Sequence, residues 1–360
     1  MMGPDHTEPA MPRNETFGTV LLLDIMNSSE YANVLSVKDY YETFLREFND
    51  TVLRAAEMYF RLYPGGAYDA TNHYVEVVGD EGRIFLFSDN PGRDVQTALD
   101  LAVLIKIAWI NGPFNRARIF QNKAPEDLGA GINSGYLYIK KNGQLEGFGI
   151  NLTKRIESHT RFGSVSKIML HKTSRSILDR YVTENRIAMR LPVNGKDISL
   201  PQHYFFRFAG NIELKGIAQP VPIYELQYIN WGDRPFFMES SFIKALAKRS
   251  VADFTNILET ALSLSVLDTT INNILLFLAL MNGDWEKASR VAKTLYEELD
   301  NIMEIPLVAA VANINLARGT TKDAARRCLL YGRRWLEIAR TIRPHAEQID
   351  ELEEILSAFR

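Results

Sequence analysis

Cysteine is almost absent from this 360-residue chain, which contains only Cys328. A single cysteine excludes an intrachain disulfide, and this composition fits a reducing compartment. The six histidines are scattered along the chain and match no zinc-site spacing. The longest apolar run, ILLFLALM at 274–281, is too short to cross a bilayer, and the polar start of the chain lacks a signal-peptide core. We therefore expect a soluble, cytoplasmic protein.

An excess of one charge is also lacking, because 41 basic side chains are balanced by 44 acidic ones, leaving a net charge of −3. Acidic and basic residues are interspersed, which argues against a dedicated surface for nucleic acid or for an anionic membrane. We expect neither as a partner. The length suggests two domains.

The first two-thirds of the chain alternates strand and helix patterns. TFGTVLLLD, at 16–24, is typical of a buried strand, and Ser36 is placed to cap an amphipathic helix. YVEVV and RIFLF flank GDEG and indicate a hairpin, whereas DLGAGINSG and YLYIKK are interpreted as two paired strands. The order strand, helix, strand, strand, helix, strand predicts an α+β, ferredoxin-like fold with an antiparallel sheet and helices on one face.

The composition changes near WGDRPFFMES, and only helical periodicity follows it. The predicted division is a disordered tail at 1–16, an α+β domain at 17–230, a linker at 231–240 and an all-α domain at 241–360. The all-α domain would either support dimers by packing or sense a signal and regulate the first domain.

Two acidic residues stand where apolar strands end. Asp24 closes TVLLLD, and Asp80 lies in the turn of the predicted hairpin. Carboxylates in such positions can share a pair of divalent cations over a triphosphate. Asn151 and Arg155 are four residues apart on one face of a predicted helix. Together these residues favour a phosphoryl-transfer site.

These segments resemble, in order, the catalytic domain of the class III nucleotidyl cyclases over roughly residues 17–228. LLLDIMNSS is similar to the first metal-binding strand of that family, VEVVGDEG to its metal-binding hairpin and GAGINSGYL to its central strand. GINLTKRIES resembles the helix that bears the transition-state Asn and Arg. IELKGIAQPVPIYEL resembles the closing strand with its phosphate-contacting lysine.

The resemblance implies a homodimer with two composite sites, each binding a nucleoside triphosphate. One subunit would hold two Mg²⁺ or Mn²⁺ ions through Asp24, Asp80 and the backbone carbonyl of Ile25. Its partner would supply Asn151 to orient the ribose and Arg155 to stabilise charge on the α-phosphorus.

Further phosphate contacts follow from the same resemblance. Lys215 of the partner subunit would bind the triphosphate, and the backbone amides of Asn27, Ser28 and Ser29 would cradle phosphates at the start of a helix. Many relatives carry an arginine where this chain has Tyr136, so one phosphate contact of the family is missing here.

Two positions read the base in this family, and here they are Glu76 and Gln144. A carboxylate only accepts hydrogen bonds, so Glu76 matches the N–H of guanine or uracil, while the Gln144 amide could donate to the adjacent carbonyl. GTP and UTP therefore fit best, CTP is possible, and ATP fits worst.

Pocket size must separate guanine from uracil. The helix after the first metal-binding strand carries Tyr40, Tyr41, Phe44 and Phe48, and one of these rings could narrow the pocket. The arrangement of the chain also resembles the pyrimidine cyclases of bacterial Pycsar antiphage systems. We expect a cyclase that makes cyclic UMP from UTP. The alternatives are cyclic CMP, cyclic GMP or cyclic AMP synthesis, a non-catalytic nucleotide sensor, or a scaffold.

Overall fold

The central strand of the fold is buried on both faces. The structure is a computed structural model that describes residues 15–62, 71–140, 145–185, 188–201, 203–231, 250–264 and 268–359. Leu21 and Leu23 of this strand face one apolar cluster, and Val20 and Leu22 face another. A continuous apolar run in place of an alternating pattern is what such two-sided burial requires.

The strands form one large sheet and one hairpin. The large sheet contains β1 (Glu15–Ile25), β2 (His73–Val78), β3 (Glu81–Leu86), β4 (Leu128–Ile139), β5 (Leu145–Glu146), β6 (Ile168–His171), β9 (His203–Ile212) and β10 (Val221–Asn230), and the hairpin contains β7 (Ala188–Val193) and β8 (Lys196–Pro201). The helices of this part are α1 (Ser28–Val34), α2 (Val37–Asp39), α3 (Arg46–Leu62), α4 (Pro91–Ile110), α5 (Pro113–Phe120), α6 (Phe148–His159) and α7 (Lys172–Asn185).

The strand order is β2-β3-β1-β4-β6-β10-β9, with β5 beside β4. The pairs β2–β3, β3–β1 and β1–β4 are all antiparallel, which confirms the predicted ferredoxin-like pattern. The sheet is not wholly antiparallel, however, because β4 and β6 are parallel. α6 connects these two strands, as a parallel crossover requires.

Helices cover both faces of the sheet, where the sequence had suggested one. α3 and α4 pack in the cluster that contains Leu21. α6 packs on β4 and β1 from the opposite side, where Ile150 contacts the cluster of Val20 and Leu22. The candidate helix bearing Asn151 and Arg155 therefore lies on its own face of the sheet.

The two strands predicted at DLGAGINSG and YLYIKK are one strand, β4, which pairs with β1 from Glu15–Tyr138 to Ile25–Leu128. The glycines of this segment do not form a turn. Their role is to let α6 pack closely against β4. A Cβ on Gly131 would lie 2.6 Å from the backbone nitrogen of Glu157.

The β7–β8 hairpin was not predicted, although its turn has a clear signal. Asn194 and Gly195 both have positive φ values, 52° and 77°. Asn-Gly is the preferred pair for a two-residue hairpin turn of this kind.

A π-helical segment, Tyr40–Leu45, joins α2 to α3. Ser36 caps the start as predicted, since its Oγ accepts a hydrogen bond from the Asp39 amide at 3.1 Å. Wide turns of this kind occur frequently at functional sites, and this one begins at Tyr40.

In the described part of the C-terminal region every element is helical, as predicted. The helices are α8 (Val251–Leu264), α9 (Thr269–Met281), α10 (Trp285–Glu298), α11 (Glu304–Arg318), α12 (Lys322–Ile342) and α13 (Glu347–Ala358). Asn273 of α9 exchanges two hydrogen bonds with the backbone of Ile229 in β10, at 3.0 and 2.9 Å. The helical region thus packs directly on the sheet region.

The predicted boundaries are only partly visible in the structure. β1 begins at Glu15, inside the predicted tail at 1–16, and within the predicted linker at 231–240 only Trp231 is described. Among the described residues no single helix is long and apolar enough to span a membrane. α4 and α5 would meet that criterion together, with a bend of 52° between them, but α4 is buried almost throughout.

We predict that Gly131→Ala destabilises the protein by about 1–3 kcal/mol, because the added methyl must push α6 away from β4. Gly135→Ala, on the same strand, is the matched control, since its Cβ would meet its nearest neighbour only at 4.0 Å. It should change stability by less than about 0.5 kcal/mol. Urea unfolding midpoints measure both effects, and equal losses would contradict the close α6–β4 packing.

Candidate active site

The Asp24 carboxyl group lies close to two other carboxylates, those of Asp80 and Glu81. Asp24 is the second-last residue of β1, between Glu81 of β3 and Gly129 of β4, and its Oδ1 atom is buried without a hydrogen-bond partner. Burial, followed by the nearby Asp80 and Glu81 carboxylates, raises the pKa of Asp24 to about 7. A cation bound here would relieve this repulsion.

Asp80 is held close to Asp24 by the turn of the β2–β3 hairpin. Gly79 in this turn has a φ of 67°, which favours glycine. Ser28 Oγ donates to Asp80 Oδ2 at 2.5 Å, and Asn27 before it has a left-handed backbone with φ 59°. The Ser28 hydroxyl therefore positions an acidic residue, while the phosphate contacts expected of the Asn27, Ser28 and Ser29 amides stay a prediction.

The donor set fits a hard divalent cation. Within the described residues no group of three or more His, Cys, Asp or Glu side chains is arranged to hold a metal. Mg²⁺, however, is commonly held by only one or two protein carboxylates together with substrate phosphates and water. Asp24, with its orphaned oxygen, and Asp80 meet that requirement, and the Ile25 carbonyl stays a predicted third ligand.

Tyr40 is a neighbour of this site that the sequence did not single out from the other aromatic residues. Burial, then the Asp80 carboxylate, raises the pKa of its hydroxyl. Phe44 and Phe48 are instead fully buried in the core, and Tyr41 is exposed. The π-helical segment that begins at Tyr40 is the local feature that accompanies its approach to the acids.

α6 presents two different faces. Asn151 and Arg155 are exposed on its outer face. On the inner face, burial and then the nearby Asp24 raise the pKa of Glu157 to about 8. Lys154 donates to Glu81 Oε2 at 2.7 Å. The predicted catalytic pair is therefore open to solvent on the helix that also carries Glu157.

Lys215 lies on the same part of the molecule as that outer face of α6. It is exposed in the turn between β9 and β10, beside Gly216 with φ 82°. Its neighbour Leu214 is buried in one apolar cluster with Leu152 and Ile156 of α6. The structure thus brings Lys215 together with α6, while Asp24 and Asp80 form the other group of candidate residues.

Glu76 is not a free carboxylate. Arg83, opposite it on β3, donates from Nη1 to Glu76 Oε1 at 3.1 Å, and the Tyr74 hydroxyl donates to Oε2 at 3.4 Å. Arg83 also donates from Nε to Glu81 at 2.5 Å. Sequence reasoning missed Arg83, although its position opposite Glu76 across a short hairpin could have suggested the pair.

Two further predicted positions complete the survey. Gln144 lies outside the described residues. Tyr136, where many relatives carry arginine, is exposed on β4, and its ring meets Phe17 edge-on at 5.4 Å between centroids. Its side chain offers no positive charge for a phosphate.

No protein-family model and no curated protein matches the chain. Among solved structures it is similar to the adenylyl cyclase CyaB from P. aeruginosa, with 17% identity and a TM-score of 0.41 over 59% of this chain and 94% of that one. It is also similar to the guanylyl cyclase Cya2 (18% identity, TM-score 0.38, 59% and 92% covered). A third is the monomeric guanylyl cyclase domain of the RhoGC fusion protein from the aquatic fungus Blastocladiella emersonii (20%, 0.34, 49% and 91%). At these values the likeness is distant, so the functional case rests on this chain's own residues.

We predict that Mn²⁺ raises the melting temperature of the protein by several degrees at about pH 8 and has little effect at about pH 5. The raised pKa means that folding favours the protonated Asp24. The stability that protonation provides is complete below about pH 4 and is lost as the pH rises through about 7. A cation can replace the proton on Asp24 only above about pH 7, where the carboxyl group is ionised.

The matched variants are Asp24→Asn and Asp323→Asn, the second exposed on α12. Without Mn²⁺ at about pH 8, Asp24→Asn should melt above the wild type, and it should not respond to Mn²⁺. Asp323→Asn should behave as the wild type. An undiminished response of Asp24→Asn to Mn²⁺ would contradict the assignment of the cation to this residue.

Proposed function

We propose that this protein is a divalent-metal-dependent nucleotidyl cyclase that converts UTP into 3′,5′-cyclic UMP and pyrophosphate. The observation that carries this proposal is the buried, unpartnered Asp24 Oδ1 beside Asp80. Two carboxylates that repel each other at the ends of a strand and a hairpin need a cation between them. An outward-facing Asn151 and Arg155 on the adjacent helix then suit a triphosphate.

Each residue has a role that its position supports. Bound Mg²⁺ or Mn²⁺ would make the ribose 3′-hydroxyl more acidic and neutralise phosphate charge. Asp24 and Asp80 hold the cations, Arg155 stabilises charge on the α-phosphorus, and Asn151 orients the ribose. The 3′-oxygen forms a bond to the α-phosphorus, its proton leaves to water, and the bond to pyrophosphate breaks. Lys215 holds the triphosphate.

The exposed surface supports assembly from two copies. Val34, Val37 and Tyr41 are exposed beside the half-site of the acids, and Phe148 and Phe162 are exposed at the two ends of α6. Apolar and aromatic side chains around an incomplete site are typical of a protein interface. In a head-to-tail homodimer each acidic half-site would meet the Asn151–Arg155 face of the other copy.

The Glu76–Arg83 ion pair changes the argument about the base. Arg83 already neutralises Glu76, so a buried unpaired charge no longer disfavours ATP. The pair offers one acceptor and one donor, which complement uracil N3–H and a neighbouring carbonyl, as well as the edges of other bases. Arg83 can thereby supply the donor that we had expected from Gln144.

We infer from size that a pyrimidine fits better. The hydroxyl of Tyr74, on the same face of β2, lies 3.4 Å from Glu76, so a bulky side chain stands beside the carboxylate that we propose to read the base. A uracil needs less room there than a guanine. We keep UTP as the proposed substrate on this ground, with GTP as the second candidate because it shares the N–H and carbonyl pattern.

The arrangement of the chain supports a proposal about the biological role. Because the order of a cyclase-like region and a helical region resembles, from the sequence, that of the Pycsar cyclases, we propose second-messenger synthesis in antiphage defence. A nucleotide sensor without activity is the main rival. A sensor could use the two acids and Arg155 to bind a triphosphate with its cation, so only product formation separates the two proposals.

We predict that the purified protein forms one dominant cyclic nucleotide, cyclic UMP, when it receives the four nucleoside triphosphates with Mn²⁺. Mass spectrometry identifies the product. Asp80→Asn should lower the rate by at least about 100-fold, because the phosphate charge is no longer neutralised. Asp323→Asn should retain full activity. Cyclic GMP or cyclic AMP as the main product would overturn the pyrimidine proposal, and no product with any nucleotide would favour the sensor.

We also predict complementation between two inactive variants. Asp24→Ala lacks the cation site and Arg155→Ala lacks the charge that stabilises the transition state, so each homodimer should be inactive. A mixed dimer contains one intact composite site and should recover up to about half of the activity per dimer. Differently tagged subunits allow the mixed dimer to be purified before the assay. Failure of a confirmed mixed dimer to react would contradict composite sites.

A further inference from the structure

Lys106 is a fully buried lysine near the C-terminal end of α4, and three acceptors satisfy its ammonium group. Its Nζ lies 2.9 Å from Asp127 Oδ1, 3.0 Å from Asp268 Oδ2 and 2.6 Å from the backbone oxygen of Ser166. Burial opposes the charge, but the two carboxylates outweigh it and raise the pKa of Lys106. A buried charge with complete hydrogen bonding is a rigid junction between the segments that meet there.

Two of those acceptors lie next to the candidate active site. The backbone oxygen of Asp127 accepts a hydrogen bond from the Met26 amide at 3.0 Å, two residues after Asp24. The Asp127 side chain also accepts from the Leu128 amide at 2.8 Å, where β4 begins, and from Lys167 Nζ at 2.9 Å. Asp127 therefore fixes the chain as it leaves the predicted cation site.

The loop that contains Ser166 follows α6, and it is held as firmly. The Glu225 carboxylate, completely buried, accepts hydrogen bonds from the amides of residues 164–167 and from Arg207. A Cβ on Gly163 would meet Glu225 Oε1 at 2.7 Å. The Ser166 acceptor of Lys106 thus belongs to the anchored loop that follows the helix bearing Asn151 and Arg155.

The third acceptor comes from the C-terminal helical region. Asp268 caps α9, since its Oδ1 accepts from the Thr270 amide at 2.8 Å while Oδ2 receives Lys106. The amide of Thr269, the residue after Asp268, donates to the backbone oxygen of Val165 in the loop after α6, at 3.4 Å. The helical region therefore completes a junction that holds both the exit of β1 and the end of α6.

We propose that Lys106 and Asp268 are positioning residues for the candidate active site, and that the helical region is thereby a working part of that site. Asp268 holds Lys106, Lys106 holds Asp127, and Asp127 fixes the backbone beside Asp24. The effect on metal binding rests on the proposed function, whereas the effect on the backbone does not.

Asp268→Asn tests this chain of contacts in the full-length protein. If the asparagine keeps its oxygen on Thr270, it turns an amide donor toward the Lys106 ammonium. We expect the Met26 amide to exchange its hydrogen about tenfold faster, which corresponds to about 1.4 kcal/mol. Hydrogen exchange resolved to single amides by mass spectrometry measures this rate.

Asn273→Ala is the matched control, five residues further along the same helical region. It also removes buried hydrogen bonds between α9 and the sheet, but at Ile229 of β10. Exchange at Met26 should stay within about twofold of the wild type. An equal acceleration in both variants would show that any loosening of the helical region suffices, and it would overturn the proposal.

The double variant Lys106→Met/Asp268→Asn separates a general loss of stability from a loss of positioning, because it removes the buried charge together with its partner. We expect it to melt closer to the wild type than Asp268→Asn does, yet to keep fast exchange at Met26. Wild-type exchange at Met26 in either folded variant would overturn the proposal.

The consequence for the site is read from the electron paramagnetic resonance signal of Mn²⁺. Mn²⁺ should bind about tenfold more weakly to Asp268→Asn, and with unchanged affinity to Asn273→Ala. Unchanged affinity in Asp268→Asn would overturn the link to the cation site. If the wild type binds no Mn²⁺ while Met26 exchange still separates the variants, the positioning of the backbone stands and the proposed cyclase function fails.

Discussion

The repulsion around the Asp24 carboxyl is the constraint on which the rest of this structure depends. β1 delivers Asp24 into a place where Asp80 and Glu81 are already present and where its Oδ1 has no partner. A protein built only for stability would neutralise such a group or replace it. Retaining it makes sense if the missing charge arrives with a cation and a substrate.

Two neighbouring carboxylates are, by contrast, well compensated. Glu81 bridges Lys154 and Arg83, which lower its pKa although burial opposes this, and Arg83 also pairs with Glu76. Asp24 and Glu157 keep raised pKa values, although Arg161 partly offsets the negative charge at both. The excess of negative charge is therefore concentrated where β1 and α6 approach each other, and this is the basis of the proposed cation site.

The C-terminal helices bear on the same site through contacts rather than through proximity alone. Lys106 gathers acceptors from the segment before β4, from the loop after α6 and from the start of α9. Each of these three segments is anchored elsewhere, by Met26, by Glu225 and by the Asp268 cap. A displacement of α9 would therefore reach the exit of β1 through the contacts of Asp268 with Lys106 and of Lys106 with Asp127.

The sequence alone was sufficient to place Asp24 and Asp80 at the ends of a strand and a hairpin, Ser36 at a helix start, and Asn151 and Arg155 on one helix face, because these features depend on neighbours within a few residues. It also indicated the ferredoxin-like strand order. The single strand β4, the second helical layer formed by α6, the approach of Tyr40 to the acids and the Lys106 junction were decided only by the tertiary structure. Each of these depends on segments that are distant in the chain, such as Lys106 and Ser166, 60 residues apart, and no local pattern records which distant partner a buried charge or a glycine surface will meet.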